Sequence, residues 1–151
     1  MYTPRYMQYV NFPPIPKELL DRINRDFAQY CKEPGRVANP DTYWWSDSFN
    51  EEINQWCQQN ICADMYFAFQ AAVGDLRLHK DHNTKIKLTY VLDPGGNNVL
   101  TEFFADDYTT KLASYCIEPS RWHIFKADTA HQVVNTEPSK IRFSITGRIF
   151  A

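Results

Sequence analysis

Two periodicities divide the chain. Between Lys17 and Cys31, apolar residues recur at Leu19, Leu20, Ile23, Phe27 and Tyr30. Steps of three and four place them on one helix face. Glu33-Pro34-Gly35 ends that pattern. A second helix is predicted from about Asn50 to Gln59, with Asp47 or Ser48 as its cap and Ile53, Trp56 and Cys57 turned inward. Asn11 to Pro16 reads as a stiff, extended entry segment, and Asn39-Pro40-Asp41 as a turn. Beyond Ala63 the period changes to two. The predicted strands are Met65–Gln70, Leu76–His79, Lys85–Leu92, Val99–Phe104, Lys111–Ile117, Trp122–Lys126, His131–Val134 and Ile141–Phe150. Turn signals such as Asp93-Pro94-Gly95-Gly96 and Glu118-Pro119-Ser120 separate them. Short strands at this spacing predict a sandwich or small barrel. The expected organisation is one domain, mainly β with N-terminal helices: a helical support region over 1–62 and a β-rich body over 63–151.

The last strand carries the most information. Alternate residues of a strand face opposite sides. Ile141, Phe143, Ile145 and Ile149 therefore form an apolar face, and Arg142, Ser144, Thr146 and Arg148 a polar one. A solvated outer face would account for the polar set. The helices, however, also need a sheet face to cover. If they cover the Ile/Phe face, two guanidiniums and two hydroxyls turn into the barrel, where they would hold an anion. Tyr43-Trp44-Trp45 reads as an aromatic run in a loop, suited to packing, lid anchoring or substrate contact.

Composition narrows the setting. The chain has 151 residues, enough to bury a core without staples. Sixteen basic and eighteen acidic residues give a net charge of −2. Attachment to nucleic acid by bulk charge is therefore disfavoured, although a local basic patch would remain compatible. The longest apolar run, Met65 to Phe69, falls far short of the ~18 residues that suggest a membrane span. The first residues lack the apolar centre of a signal peptide. Cys31, Cys57, Cys62 and Cys116 include no CxxC pair, which fits reduced thiols and an expected cytoplasmic location.

Four histidines remain: His79, His82, His123 and His131. His79 and Asp81 are two residues apart, so on an extended segment both side chains point the same way and reach one cation. His131, at the start of a later strand, is the natural third ligand. His82 follows Asp81 and points away from it. His123 lies inside a strand and is expected to be a hydrogen-bonded structural residue. Two histidines and one carboxylate on one face of a metal leave three positions open, the ligand set of non-haem Fe(II) oxygenases. Arg142 and Ser144 follow on the inward-facing strand, where Arg can grip a carboxylate with two prongs.

On these residues the sequence resembles the Fe(II)- and 2-oxoglutarate-dependent oxygenases, particularly the prolyl-hydroxylase-like branch. The resemblance covers roughly Ala63 to Ile149. It rests on His79-x-Asp81, on Tyr90-Val91-Leu92-Asp93-Pro94-Gly95-Gly96 followed by Thr101-Glu102-Phe103, on His131, and on Arg142-x-Ser144. It implies a double-stranded β-helix, or jelly roll, with helices packed on one sheet. It implies His79, Asp81 and His131 as iron ligands, and Arg142 with Ser144 as the grip on the far carboxylate of 2-oxoglutarate. The implied reaction hydroxylates a C–H bond while O2 and 2-oxoglutarate become succinate and CO2. A protein or peptide is the implied substrate.

Two departures stand beside the resemblance. Many prolyl hydroxylases carry a Tyr on the strand after HxD. Here Lys87, Thr89 and Val91 share one face and Leu88 and Tyr90 the other, and parity does not say which is inner. Arg148 stands where an aromatic is common, and Arg142-x5-Arg148 resembles the nucleic-acid demethylase branch, where the second Arg lies near the iron; Arg148 is therefore a further candidate for binding the cosubstrate. The alternatives are therefore a nucleic-acid oxidative demethylase or hydroxylase, and a cupin-like metal-binding module without turnover. Substrate choice is expected to lie in loops at Arg36–Ser48, Asp93–Asn98 and Ala105–Thr110.

Overall fold

A computed structural model describes residues 4–23, 36–39, 43–138 and 140–149. Eleven strands are described, β1 Met7–Tyr9, β2 Arg36–Asn39, β3 Tyr43–Ser48, β4 Tyr66–Val73, β5 Leu76–His79, β6 Ile86–Asp93, β7 Leu100–Phe104, β8 Lys111–Tyr115, β9 Trp122–Lys126, β10 Ala130–Val134 and β11 Arg142–Arg148. Two helices accompany them, α1 Lys17–Leu20 and α2 Glu51–Asn60. The strands form a seven-stranded sheet, β1-β9-β6-β11-β4-β3-β2, and a four-stranded sheet, β5-β10-β7-β8. Every pairing is antiparallel. The architecture is the mainly-β jelly roll expected, with its helices on one sheet.

The helical face of the large sheet is built as the period-two pattern requires. Phe67, Phe69 and Ala71 of β4, Leu88 and Tyr90 of β6, and Phe143 and Ile145 of β11 pack there with Ile53 and Cys57 of α2. Asn54 Oδ1 accepts the Phe67 N–H at 2.8 Å, and Gln58 Nε2 donates to the Met65 carbonyl at 2.9 Å. These bonds dock α2 on the start of β4. Burying such a face supplies most of the drive to hold a ten-residue helix that would be marginal alone. A second core lies between the sheets, formed by Met7, Val91, Phe103, Ile117, Phe125 and Ala127.

The first helix pattern is corrected in part. Among the described residues it is helical over Lys17–Leu20 and turns at 21–23, and the rest of the pattern, 24–31, lies outside the described residues. The cap of α2 is Asn50, not Asp47 or Ser48: its side chain accepts the Ile53 N–H at 3.0 Å. Tyr43-Trp44-Trp45 lies on β3, not in a loop. It pairs with β4 on one side and with β2 on the other. Arg36–Ser48 is therefore largely a hairpin rather than a free loop; 40–42, including most of the expected Asn39-Pro40-Asp41 turn, lie outside the described residues. Met7–Tyr9 also joins the large sheet, as an edge strand on β9.

Candidate metal centre

His79 ends β5 and His131 is the second residue of β10. Antiparallel pairing sets the two directly opposite each other, with ring centroids 4.5 Å apart. Asp81 follows His79 on the loop, fixed by its N–H donating to the Ala127 carbonyl at 3.0 Å. One ligand atom from each of His79, Asp81 and His131 lies within 4.8 Å of the others. Asp81 Oδ1 is 3.2 Å from Nε2 of His79 and 3.7 Å from Nε2 of His131.

Both imidazoles are oriented from behind. Nδ1–H of His79 donates to the Arg77 carbonyl at 2.6 Å, and Nδ1–H of His131 to the Thr129 carbonyl at 2.7 Å. A carbonyl only accepts, so Nδ1 carries the proton, and in the neutral ring Nε2 keeps its lone pair. Both Nε2 atoms face Asp81. This donor set fits a divalent transition metal with open positions.

The electrostatics follow from burial. His131 is 3% exposed and touches the rings of Phe103 and Phe125, which places it between the sheets. Burial pushes its pKa down to about 4, which keeps the ring neutral and ligand-competent at neutral pH. The hydrogen bond with Asp81 raises His79. Burial by itself would raise Asp81, but the hydrogen bond with His79 and the charge of Lys87 together outweigh it, and its carboxyl stays well below the usual range. Lys87 Nζ lies 2.7 Å from Asp81 Oδ2. Sequence reasoning missed this contact, because it left the inner face of β6 open.

The structure fixes that face. Lys87, Thr89 and Val91 point between the sheets, while Leu88 and Tyr90 belong to the helical side. Tyr90 is 2% exposed there and bonds to Ser120 and Ile15, so it does not face the interior. On β11, Ser144 and Thr146 are buried on the inner face. The Thr146 hydroxyl finds no hydrogen-bond partner among the described residues. Arg142 shares that face by alternation. Burial pushes its guanidinium down to about 10, and no carboxylate among the described residues pairs with it. Gly95, at φ +81°, crosses so close to Arg142 that an added Cβ would lie 3.2 Å from the Arg142 Cβ. The Pro94-Gly95-Gly96 turn therefore backs the start of β11.

The remaining sequence candidates separate from the triad. Arg148 pairs in register with Lys87, beside the triad, and its Nη2 donates to Asp47 Oδ2 at 3.1 Å. This ion pair reaches across to β3, to a partner far along the sequence that no local pattern announces. His82 is exposed and outside the triad. His123 is half-buried, with Nδ1–H donating to the Arg121 carbonyl at 3.3 Å and its ring against Tyr9.

No protein-family model and no curated protein matches the sequence. Solved structures do. An oxidoreductase of the 2OG-Fe(II) oxygenase family from Burkholderia pseudomallei aligns at 9% identity over 80% of this chain and 74% of that chain, with a TM-score of 0.51. Procruciferin, an 11S globulin from Brassica napus, aligns at 9% identity over 79% of this chain, with a TM-score of 0.50. The chain spans only 28% of that globulin's length. A prolyl-4-hydroxylase from Pseudomonas putida aligns at 15% identity over 72% of this chain and 69% of that chain, with a TM-score of 0.43. An oxygenase-family protein and a globulin thus share one architecture, so the choice of activity falls to the site. The comparisons establish that architecture: the chain is a jelly roll of the kind found in both oxygenase-family and globulin proteins.

Proposed function

We propose that this chain is an Fe(II)- and 2-oxoglutarate-dependent dioxygenase that hydroxylates a C–H bond, with a protein or peptide as substrate. The observation that carries the reading is the pairing of two features in one interior. His79, Asp81 and His131 converge with both Nε2 atoms turned to the carboxylate. Arg142 stands on the inner face with its charge desolvated and without an acidic partner among the described residues. A half-buried, desolvated guanidinium without an acidic partner is costly unless an anion meets it. A metal-binding module without turnover has no use for it.

Each residue has a role under this reading. His79, Asp81 and His131 hold the iron and leave half of its positions open. Arg142 grips the distal carboxylate of 2-oxoglutarate, and Ser144 adds a short hydrogen bond. Thr146, whose hydroxyl has no partner among the described residues, is available to the same ligand. Phe103 and Phe125 keep water from the His131 side. Bound iron with 2-oxoglutarate and O2 would supply the oxidising chemistry, releasing succinate and CO2. A net charge of −2 favours a peptide over a nucleic acid as substrate.

The test is anaerobic titration of the Fe(II)-loaded protein with 2-oxoglutarate, followed by visible absorption. A weak charge-transfer band from the chelated keto acid is expected, absent in His79→Ala. Arg142→Ala is expected to weaken 2-oxoglutarate roughly 10-fold or more, because a charged hydrogen-bonding partner is worth ~1.5–3 kcal/mol. Iron bound with no band would sink the clamp and leave a cupin-like metal-binding jelly roll.

A further inference from the structure

Lys87 is an anomaly on its strand. It occupies an inward position of a central strand, where apolar residues are the rule, and its side chain is only 13% exposed. Burying an ammonium is costly unless a partner meets it. The partner is Asp81, and the way it is met is specific. Lys87 takes Oδ2 at 2.7 Å, while Oδ1 is turned to the two histidines at 3.2 and 3.7 Å. The two oxygens of one carboxylate are thus divided between two partners. Three further contacts hold the division. The Asp81 N–H is tied to the Ala127 carbonyl, the Ala127 N–H donates to the Lys85 carbonyl at 2.7 Å, and Nζ of Lys87 lies 6.0 Å from the Phe125 ring centroid. The loop that carries Asp81 and the strand that carries Lys87 are therefore stitched to the same end of β9.

We infer that Lys87 is a positioning residue for the metal centre. It occupies Oδ2 so that Asp81 offers a single oxygen, Oδ1, to the ion. The inference rests on the metal-centre reading above. The consequence is chemical. A carboxylate free to bind through both oxygens would take a further coordination position, one that a two-pronged keto acid and O2 need. Oriented outer partners of this kind typically govern metal affinity by about 10- to 100-fold.

The sign of the effect separates positioning from simple charge. A nearby ammonium repels a divalent cation, so if Lys87 acted only as a charge, removing it would tighten metal binding. If it positions Asp81, removing it loosens binding. The experiment is Mn(II) titration of the metal-free protein by electron paramagnetic resonance, with Co(II) absorption as a second readout, on wild type, Lys87→Met and Lys87→Gln. Expected are a roughly 10- to 100-fold weaker Mn(II) affinity in Lys87→Met, partial rescue in Lys87→Gln, which keeps an N–H donor, and a changed Co(II) spectrum in Lys87→Met as Asp81 loses its fixed orientation. If Lys87→Met does not fold, Lys87→Gln carries the comparison and is expected to bind more weakly than wild type. Metal affinity that is unchanged or tighter in a folded variant would overturn the role of Lys87 and leave the metal centre standing. Wild-type protein that binds neither ion would overturn both.

Discussion

Lys87 and Tyr90 share one strand and face opposite ways. One meets Asp81 between the sheets, and the other is buried against the helical side. Single residues on this scaffold are read through such surroundings. Burial pushes the Cys57 thiol up to about 12, because it lies on the inward face of α2 within the apolar core, whereas Cys116 is exposed. The thiolate is the nucleophile. Iodoacetamide at pH 8 is therefore expected to alkylate Cys116 in the native protein and spare Cys57 until denaturant is added, as peptide mass spectrometry would read out. Gly147 is a second such site. A methyl there would overlap the ring of Phe67, which is fully buried. Gly147→Ala should cost about 1–3 kcal/mol in urea unfolding, the usual range for overpacking.

Elements set which side chains can meet. The α2 helix is fixed at its start by Asn50 and along its length by Asn54 and Gln58. Asn50→Ala removes the acceptor for the Ile53 N–H and is expected to lower stability by about 1 kcal/mol, measured as a shift in urea midpoint at constant m-value. The β6–β11 connection bears on the site more directly. The pairing slips between Phe143 and Ser144, with Leu92 the extra residue on β6, just before the Pro94-Gly95-Gly96 turn. Gly95 holds φ +81° against the Arg142 backbone. Gly95→Ala strains that turn and presses on the base of Arg142. Under the proposed function it should weaken 2-oxoglutarate binding, with Mn(II) affinity left near wild type. Equal losses of both ligands would point to general misfolding instead.

At the scale of the molecule, the two sheets enclose ionisable groups whose burial links stability to pH. His131 titrates near 6.5 when unfolded and at about 4 when folded. Its contribution is complete above pH 6.5 and is lost as pH falls from 6.5 toward 4, since only the unfolded chain takes up the proton. At pH 5 this amounts to about 2 kcal/mol. Asp81, held low, adds a loss that begins as pH falls through the ordinary carboxylate range and grows below it. His79 is raised, so its contribution is present below 6.5 and fades as pH rises through its folded value. The decisive comparison is the difference in melting temperature between pH 7.5 and pH 5 for the metal-free protein. It should be larger in wild type than in His131→Asn. Among the described residues no helix is long and apolar enough to cross a membrane.

What the sequence determined by itself is what depends on neighbours along the chain. Alternation located all eight strands beyond Ala63 to within a few residues, because a half-buried strand must alternate. It also divided β11 into its Ile/Phe and Arg/Ser/Thr faces, and the helices do cover the apolar one. Two-residue spacing put His79 and Asp81 together, and the start of a strand offered His131. What the tertiary structure decided is what depends on partners far along the chain. Parity has no sign until a helix covers one face, so only the packed sheets turned Lys87 and Thr89 inward and Tyr90 out. Tyr43–Ser48 opens with three adjacent aromatics, so its sequence shows no alternation, and only its pairing with β4 and β2 reveals the strand. The division of the Asp81 oxygens and the Arg148–Asp47 pair arise where β6, β10, β11 and β3 converge. No local pattern encodes such a meeting, because its cost and its gain appear only when the burial is complete.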